Sequence, residues 1–203
     1  MSHRLSFTDN HIPPYLLVNV KDVIAPEQFE GLCRANRDLR LELTSTGELI
    51  VMPPAGSKTG MRNADLTYQL AAWAQKDRTG ISFDSSTGFT LPNRAMLSPD
   101  AAWIKRERWD SLTEDEQEGF APLCPDFVVE IRSRSDDLPP LESKMKEYIA
   151  NGALLAWLID PLKHRVYVYK PDPGVKVLEN PEVVSGDPLL SGFDLRLSHL
   201  WER

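Results

Sequence analysis

The sequence predicts an α/β (α+β) fold, a central mixed β-sheet flanked by helices, and three observations carry that prediction. Apolar residues recur at helical spacing in three separate stretches, each followed by short strand-like runs. Two of those runs, Phe127–Ile131 and Leu154–Ile159, are nearly continuous in apolar residues, as buried strands are. The 203 residues fit one domain and suffice to bury a sizeable core, with no internal repeat or low-complexity tract to divide them. We expect a lead-in over residues 1–19 and a single domain over 20–203.

The elements follow in order. Residues 1–20 read as irregular, extended around Ile12–Pro14, with a short strand at Leu16–Val20. Pro26 suits a helix N-terminus, and Phe29, Leu32 and Cys33 supply that helix's buried face. RLELTSTGELIVMPP gives two short strands around a turn at Gly47, with Glu42 on the first and Glu48 opening the second. Leu66, Leu70, Trp73 and Ala74 form one face of a helix from about Lys58 to Lys76. Ile81–Phe83 and Gly88–Leu91 are strand candidates, and Ser98–Pro99 turns into a strand over Asp100–Ile104. SLTEDEQEGFAP is a short acidic helix or loop with Ser111 or Thr113 as cap, its acids a solvated face.

After Phe127–Ile131 comes a polar turn, then a helix with Leu141, Met145, Tyr148 and Ile149 on one stripe. Gly152 ends it. LLAWLIDP and the alternating RVYVYKP are strands joined by a hairpin turn at PLKH, and the tail is turn-rich with short strand-like pieces.

Composition excludes several classes. Apolar residues make up 41% and charged residues 26%, as in an ordinary soluble globular protein. No apolar run approaches the roughly 20 residues of a membrane span, and the N-terminus lacks the apolar core of a secretory signal, so a cytoplasmic location is expected. Cys33 and Cys124 match no metal or redox motif and read as reduced, mostly buried thiols. The four histidines (His3, His11, His164, His199) form no HxxxH or HExxH pattern, against a histidine-rich zinc site. A net charge of −7 argues against broad attraction to nucleic acid, though not against a local basic groove or a carboxylate site neutralised by a divalent metal.

Four residues are costly where they fall: Glu42, Asp100, Glu130 and Lys144. Glu130 interrupts an apolar strand, and Lys144 lies at the edge of the next helix's apolar stripe while Lys146 points well away. Both need partners if buried. Two acids on neighbouring strands can bind Mg²⁺ or Mn²⁺, with waters and a substrate phosphate completing the shell. Such a metal lowers the pKa of a bound water, and a nearby lysine stabilises charge growing in the transition state.

SPD followed by an apolar strand, then a second strand carrying an acid, resembles the PD-(D/E)xK nuclease superfamily, the restriction-endonuclease-like fold. Most of that superfamily places the lysine two residues after the second acid, where this sequence has Arg132. The departure resembles one bacterial branch, first catalogued as a domain of unknown function, in which the lysine has moved to the following helix. RLELTSTGELIVMPP, SPDAAWI, CPDFVVEIRSRSD and KMKEYIANGALLAWLIDP resemble that branch's successive blocks. The first turn is one residue longer here, and Arg134 stands where a proline is usual. The likeness covers about residues 20–203.

The resemblance implies that Asp100 and Glu130 are metal ligands, Lys144 the catalytic lysine and Glu42 an acidic contributor to the metal shell. Asp126 and Tyr148 also match, with supporting roles: Asp126 pairing with a backbone amide or capping its strand, Tyr148 packing with its hydroxyl bonded. The implied activity is Mg²⁺- or Mn²⁺-dependent endonucleolytic cleavage of DNA, by a homodimer if both strands are cut.

Blander readings stand beside each assignment. Glu130 can be a structural ion pair with Arg132, Lys144 or Arg40; Asp100 a turn residue; Lys144 a stem laid along the core stripe; Glu42 an ordinary acid before a turn. Arg132, Arg134 and Lys146 suit phosphates or a solvated turn, and the tryptophans suit core packing better than base stacking. Two rivals follow: a catalytically silent nucleic-acid-binding relative, and an interaction or structural protein with no nucleic-acid role.

Overall fold

Alternation along the second acid's strand sets the layers of the protein. The computed structural model describes residues 15–21, 23–172 and 174–201, apart from the side chains of Pro26 and Glu27. The extended segment expected around Ile12–Pro14 lies outside the described residues. In chain order the first elements are β1 (Leu16–Asn19), α1 (Pro26–Ala35), β2 (Arg40–Leu43), β3 (Glu48–Met52) and α2 (Ser57–Asp77). Then come β4 (Gly80–Asp84), β5 (Phe89–Thr90), β6 (Met96–Leu97), β7 (Ala101–Lys105), α3 (Arg106–Asp110) and α4 (Glu114–Glu118). The chain continues with β8 (Phe127–Ile131), α5 (Leu138–Ala150), β9 (Leu155–Asp160), β10 (Arg165–Tyr169) and β11 (Val175–Glu179). It closes with β12 (Val183–Ser185), β13 (Asp194–Arg196) and α6 (Ser198–Trp201).

The central sheet runs β11-β10-β9-β8-β7-β4. It is mixed: β8 and β9, joined through α5, are parallel, and its other pairings are antiparallel. Parallel neighbours need such a crossover, and the helix it carries covers one face. A second sheet, β1-β3-β2-β6-β5, lies beside it, and β12 pairs with β13.

Successive residues of β8 face opposite sides. Phe127, Val129 and Ile131 pack with Leu66, Leu70 and Ala74 of α2. Val128 packs with Met145 and Tyr148 of α5, and Glu130 shares that side. Phe29, Leu41, Leu43, Leu49 and Met96 form a third cluster under the second sheet.

Several local readings differ in detail. The strand after Ser98–Pro99 starts at Ala101, leaving Asp100 at its mouth, and β6 and α3 were not expected from the sequence. Both are too short for a periodic pattern to show. Thr113 is the cap of α4: it accepts from Glu116 N at 3.3 Å, and Glu116 accepts from Thr113 N at 2.8 Å. Gly47, at φ +85°, makes the β2–β3 turn that the sequence placed there. Both cysteines are free, Cys124 buried and Cys33 half-buried. Among the described residues no helix is long and apolar enough to cross a membrane.

Candidate active site

The four costly residues meet. Glu42 comes from β2 in the second sheet, Asp100 from the mouth of β7, Glu130 from β8 and Lys144 from α5. The register pairs Ala101 with Val129, which sets Asp100 beside Glu130 at adjoining strand ends. All three acids are buried. Lys144 Nζ lies 2.8 Å from Glu42 Oε1 and 2.8 Å from Glu130 Oε1, so the ammonium bridges two sheets.

The surrounding groups are specific. Glu42 Oε1 also accepts from Ser98 N at 2.9 Å, and Tyr148 donates its hydroxyl to Glu130 Oε1 at 3.1 Å. In both glutamates these contacts fall on Oε1. Asp100 Oδ2 accepts from Ile131 N at 2.8 Å. Its Oδ1 accepts from Arg40 Nη1 at 3.2 Å and from Asn63 Nδ2 at 3.1 Å. Arg40 Nη2 also donates to the Ser98 carbonyl. Arg40 and Asn63 were not singled out as site residues from the sequence. Arg40 two residues before Glu42, on the same strand face, was the available signal; for Asn63, one polar residue near a helical apolar stripe, there was little.

Three carboxylates against two cations make this a strained electrostatic site. Burial, with Asp100 and Glu42 adding to it against Lys144, pushes Glu130 up from 4.5 to about 7. Burial alone would lower Lys144, but Glu130 and then Glu42 outweigh it and hold the ammonium above its ordinary value. Burial likewise opposes the charge on Arg40, and Asp100, Glu42 and Glu130 together overcome it. Burial, then Glu130, raises the Tyr148 hydroxyl well above its ordinary value, so it stays a donor.

Among the described residues no group of three His, Cys, Asp or Glu side chains is set to hold a metal ion by itself. Lys144 stands between Glu42 and Glu130 instead. A hard cation that keeps its waters and takes a substrate phosphate needs only one or two carboxylates. Asp100 and Glu130 offer that: oxygen donors from adjoining strand ends. Arg40 and Lys144 are the more exposed members of the cluster, at 29% and 16%. Two surface cavities of about 620 and 570 Å³ lie away from these residues.

Other residues singled out in the sequence take places around this cluster. Asp126 accepts from Lys105 N at 2.9 Å and pairs with Arg108 at 3.0 Å, a supporting role. Arg132 does not pair with Glu130; it binds Asp160 at 2.8 Å. Arg134 and Lys146 are exposed. Trp103 and Trp157 are core residues, and Trp73 packs against the same core.

The mixed sheet with its parallel β8–α5–β9 crossover agrees with the restriction-endonuclease-like fold that the sequence resembles. The crystal structure of a putative nuclease belonging to DUF820 from Anabaena variabilis ATCC 29413 has this fold, with a TM-score of 0.68 at 20% identity, covering 79% of this chain and 89% of that one. The chain belongs to the Uma2 family, described as putative restriction endonuclease, whose model matches residues 26–198. No curated protein matches it.

Proposed function

We propose that this chain is a divalent-metal-dependent endonuclease that hydrolyses DNA phosphodiester bonds at the Glu42, Asp100, Glu130 and Lys144 cluster. The observation that supports it is the Lys144 ammonium 2.8 Å from both Glu42 and Glu130, with Asp100 beside Glu130 on the neighbouring strand, in a chain of a family described as putative restriction endonuclease. Residues 20–203 form the catalytic domain in this reading, which acts in the cytoplasm as a homodimer, two sites serving two strands.

Asp100 and Glu130 would hold Mg²⁺ or Mn²⁺, with Glu42 bordering the same space. When bound, the cation would polarise the phosphorus–oxygen bonds and lower the pKa of a bound water. Lys144 stabilises negative charge developing on the phosphate during the displacement. Glu42 keeps that ammonium charged and aimed. Tyr148 fixes Glu130 through Oε1, and Ile131 N fixes Asp100 through Oδ2. Exposed Arg134 and Lys146 are candidates for contacts with flanking phosphates.

Calorimetric titration of Mn²⁺ into wild type and a Glu130→Gln/Asp100→Asn double variant tests this reading, alongside cleavage of plasmid DNA. Wild type is expected to bind and the double variant not, with cleavage falling by at least about 100-fold. Undiminished Mg²⁺-dependent cleavage by Glu130→Gln sinks the assignment. Equal DNA binding in Mg²⁺ and EDTA without cutting establishes the silent relative instead.

A further inference from the structure

Asp100 is held by more than its place on the sheet. Arg40 Nη1 and Asn63 Nδ2 both donate to its Oδ1, at 3.2 and 3.1 Å. Both donors carry a second polar atom that is buried and has no hydrogen-bond partner: Arg40 Nε and Asn63 Oδ1. A carboxylate only accepts, so the Asn63 amide must present its nitrogen to Asp100 and turn its oxygen away. One orphan is therefore a donor and the other an acceptor. Each is separated by a single carbon from an atom that touches Asp100 Oδ1.

Buried polar atoms are rarely left unpaired in native proteins, and an internal water can serve either orphan without loosening the donors that hold Asp100.

We propose that Arg40 and Asn63 are positioning residues of this site, which clamp Asp100 through its Oδ1. The clamp fixes the orientation of Asp100 before any cation arrives. Carboxylates that ligate metals are themselves held by hydrogen bonds, and loss of such outer partners typically weakens metal binding by about 10- to 100-fold. This inference rests on the reading of Asp100 as a metal ligand.

Two measurements test it. A crystal structure of the metal-free protein is expected to show Arg40 Nη1 and Asn63 Nδ2 both within hydrogen-bond distance of Asp100 Oδ1. Either donor turned away from Asp100 overturns the clamp. Titration of Mn²⁺ into wild type, Asn63→Ala and Arg40→Lys is expected to show about 10-fold or greater weakening in both variants. Thermal melts identify any loss due to unfolding, and Asn63→Ala leaves Arg40 and Ile131 N on Asp100 should Arg40→Lys fold poorly. Affinity unchanged within twofold in folded variants overturns the positioning role. If wild type binds no Mn²⁺, the nuclease reading falls, and the crystal structure alone decides the clamp.

Discussion

Two buried charge clusters flank β8, and they are built differently. On one side Arg132 donates Nη1 to Asp160 Oδ2 at 2.8 Å and Nε to the Asp136 carbonyl at 3.0 Å. Asp160 Oδ1 takes the Leu162 and Lys163 amides of the β9–β10 turn at 2.9 and 3.2 Å, and Asp136 takes Ser133 N at 2.8 Å. One full charge meets one full charge, and both ends carry further bonds. On the other side Glu42, Asp100, Glu130, Lys144 and Arg40 leave an excess of negative charge, a carboxyl raised to about 7 and two orphaned atoms. The first cluster is a fastening; the second has the unbalanced charge on which the proposed metal site depends. Arg132 occupies the position where most of the superfamily has its lysine, yet it belongs to the fastening.

Breaking the fastening should produce the largest change in stability. Asp160→Ala strips the partner from a charge in a pair that is 17% and 0% exposed at its two ends. The expected loss is about 3–5 kcal/mol of folding free energy, read by chemical denaturation. A loss under about 1 kcal/mol would erase the distinction between the clusters.

The second test is smaller and concerns pH. Glu130 rises from 4.5 to about 7 on folding, through burial first, with Asp100 and Glu42 against Lys144 and Arg40. Between those values the folded protein keeps a proton that the unfolded chain has lost. Its contribution to stability is therefore full below about 4.5 and is lost as pH rises towards 7. Denaturation in EDTA across that window should show a flatter profile for Glu130→Gln than for wild type. Parallel profiles would mean that Glu130 is not the group that titrates.

The smallest effect is expected at Arg134 and Lys146, which are exposed. Alanine at either should shift stability by less than about 0.5 kcal/mol. If they meet phosphates, each should lower the salt slope of DNA binding by about 1. An unchanged slope leaves them as solvated charges.

Much of this was legible beforehand because it is local. Phe127–Ile131 declared a buried strand by composition, Leu141, Met145 and Tyr148 declared a helix face by spacing, and Glu130 and Lys144 stood out as charges that such elements cannot bury alone. Short pieces such as β6 and α3 gave no period to read. Nor did the sequence distinguish Arg132 from Arg40 as a partner for the acids, since both lie near a carboxylate along the chain.

The sequence by itself determined the longer elements, their periodicities and the acid–acid–lysine inventory, because these follow from backbone geometry and the cost of burying charge. Only tertiary structure decided who meets whom. Glu42 and Lys144, 102 residues apart, are joined by the approach of two sheets. Asn63 reaches Asp100 because α2 packs its Leu66 and Leu70 against β8. Long-range pairing is set by the packing of whole faces, and no local pattern encodes which polar atom a packed face will deliver to its neighbour.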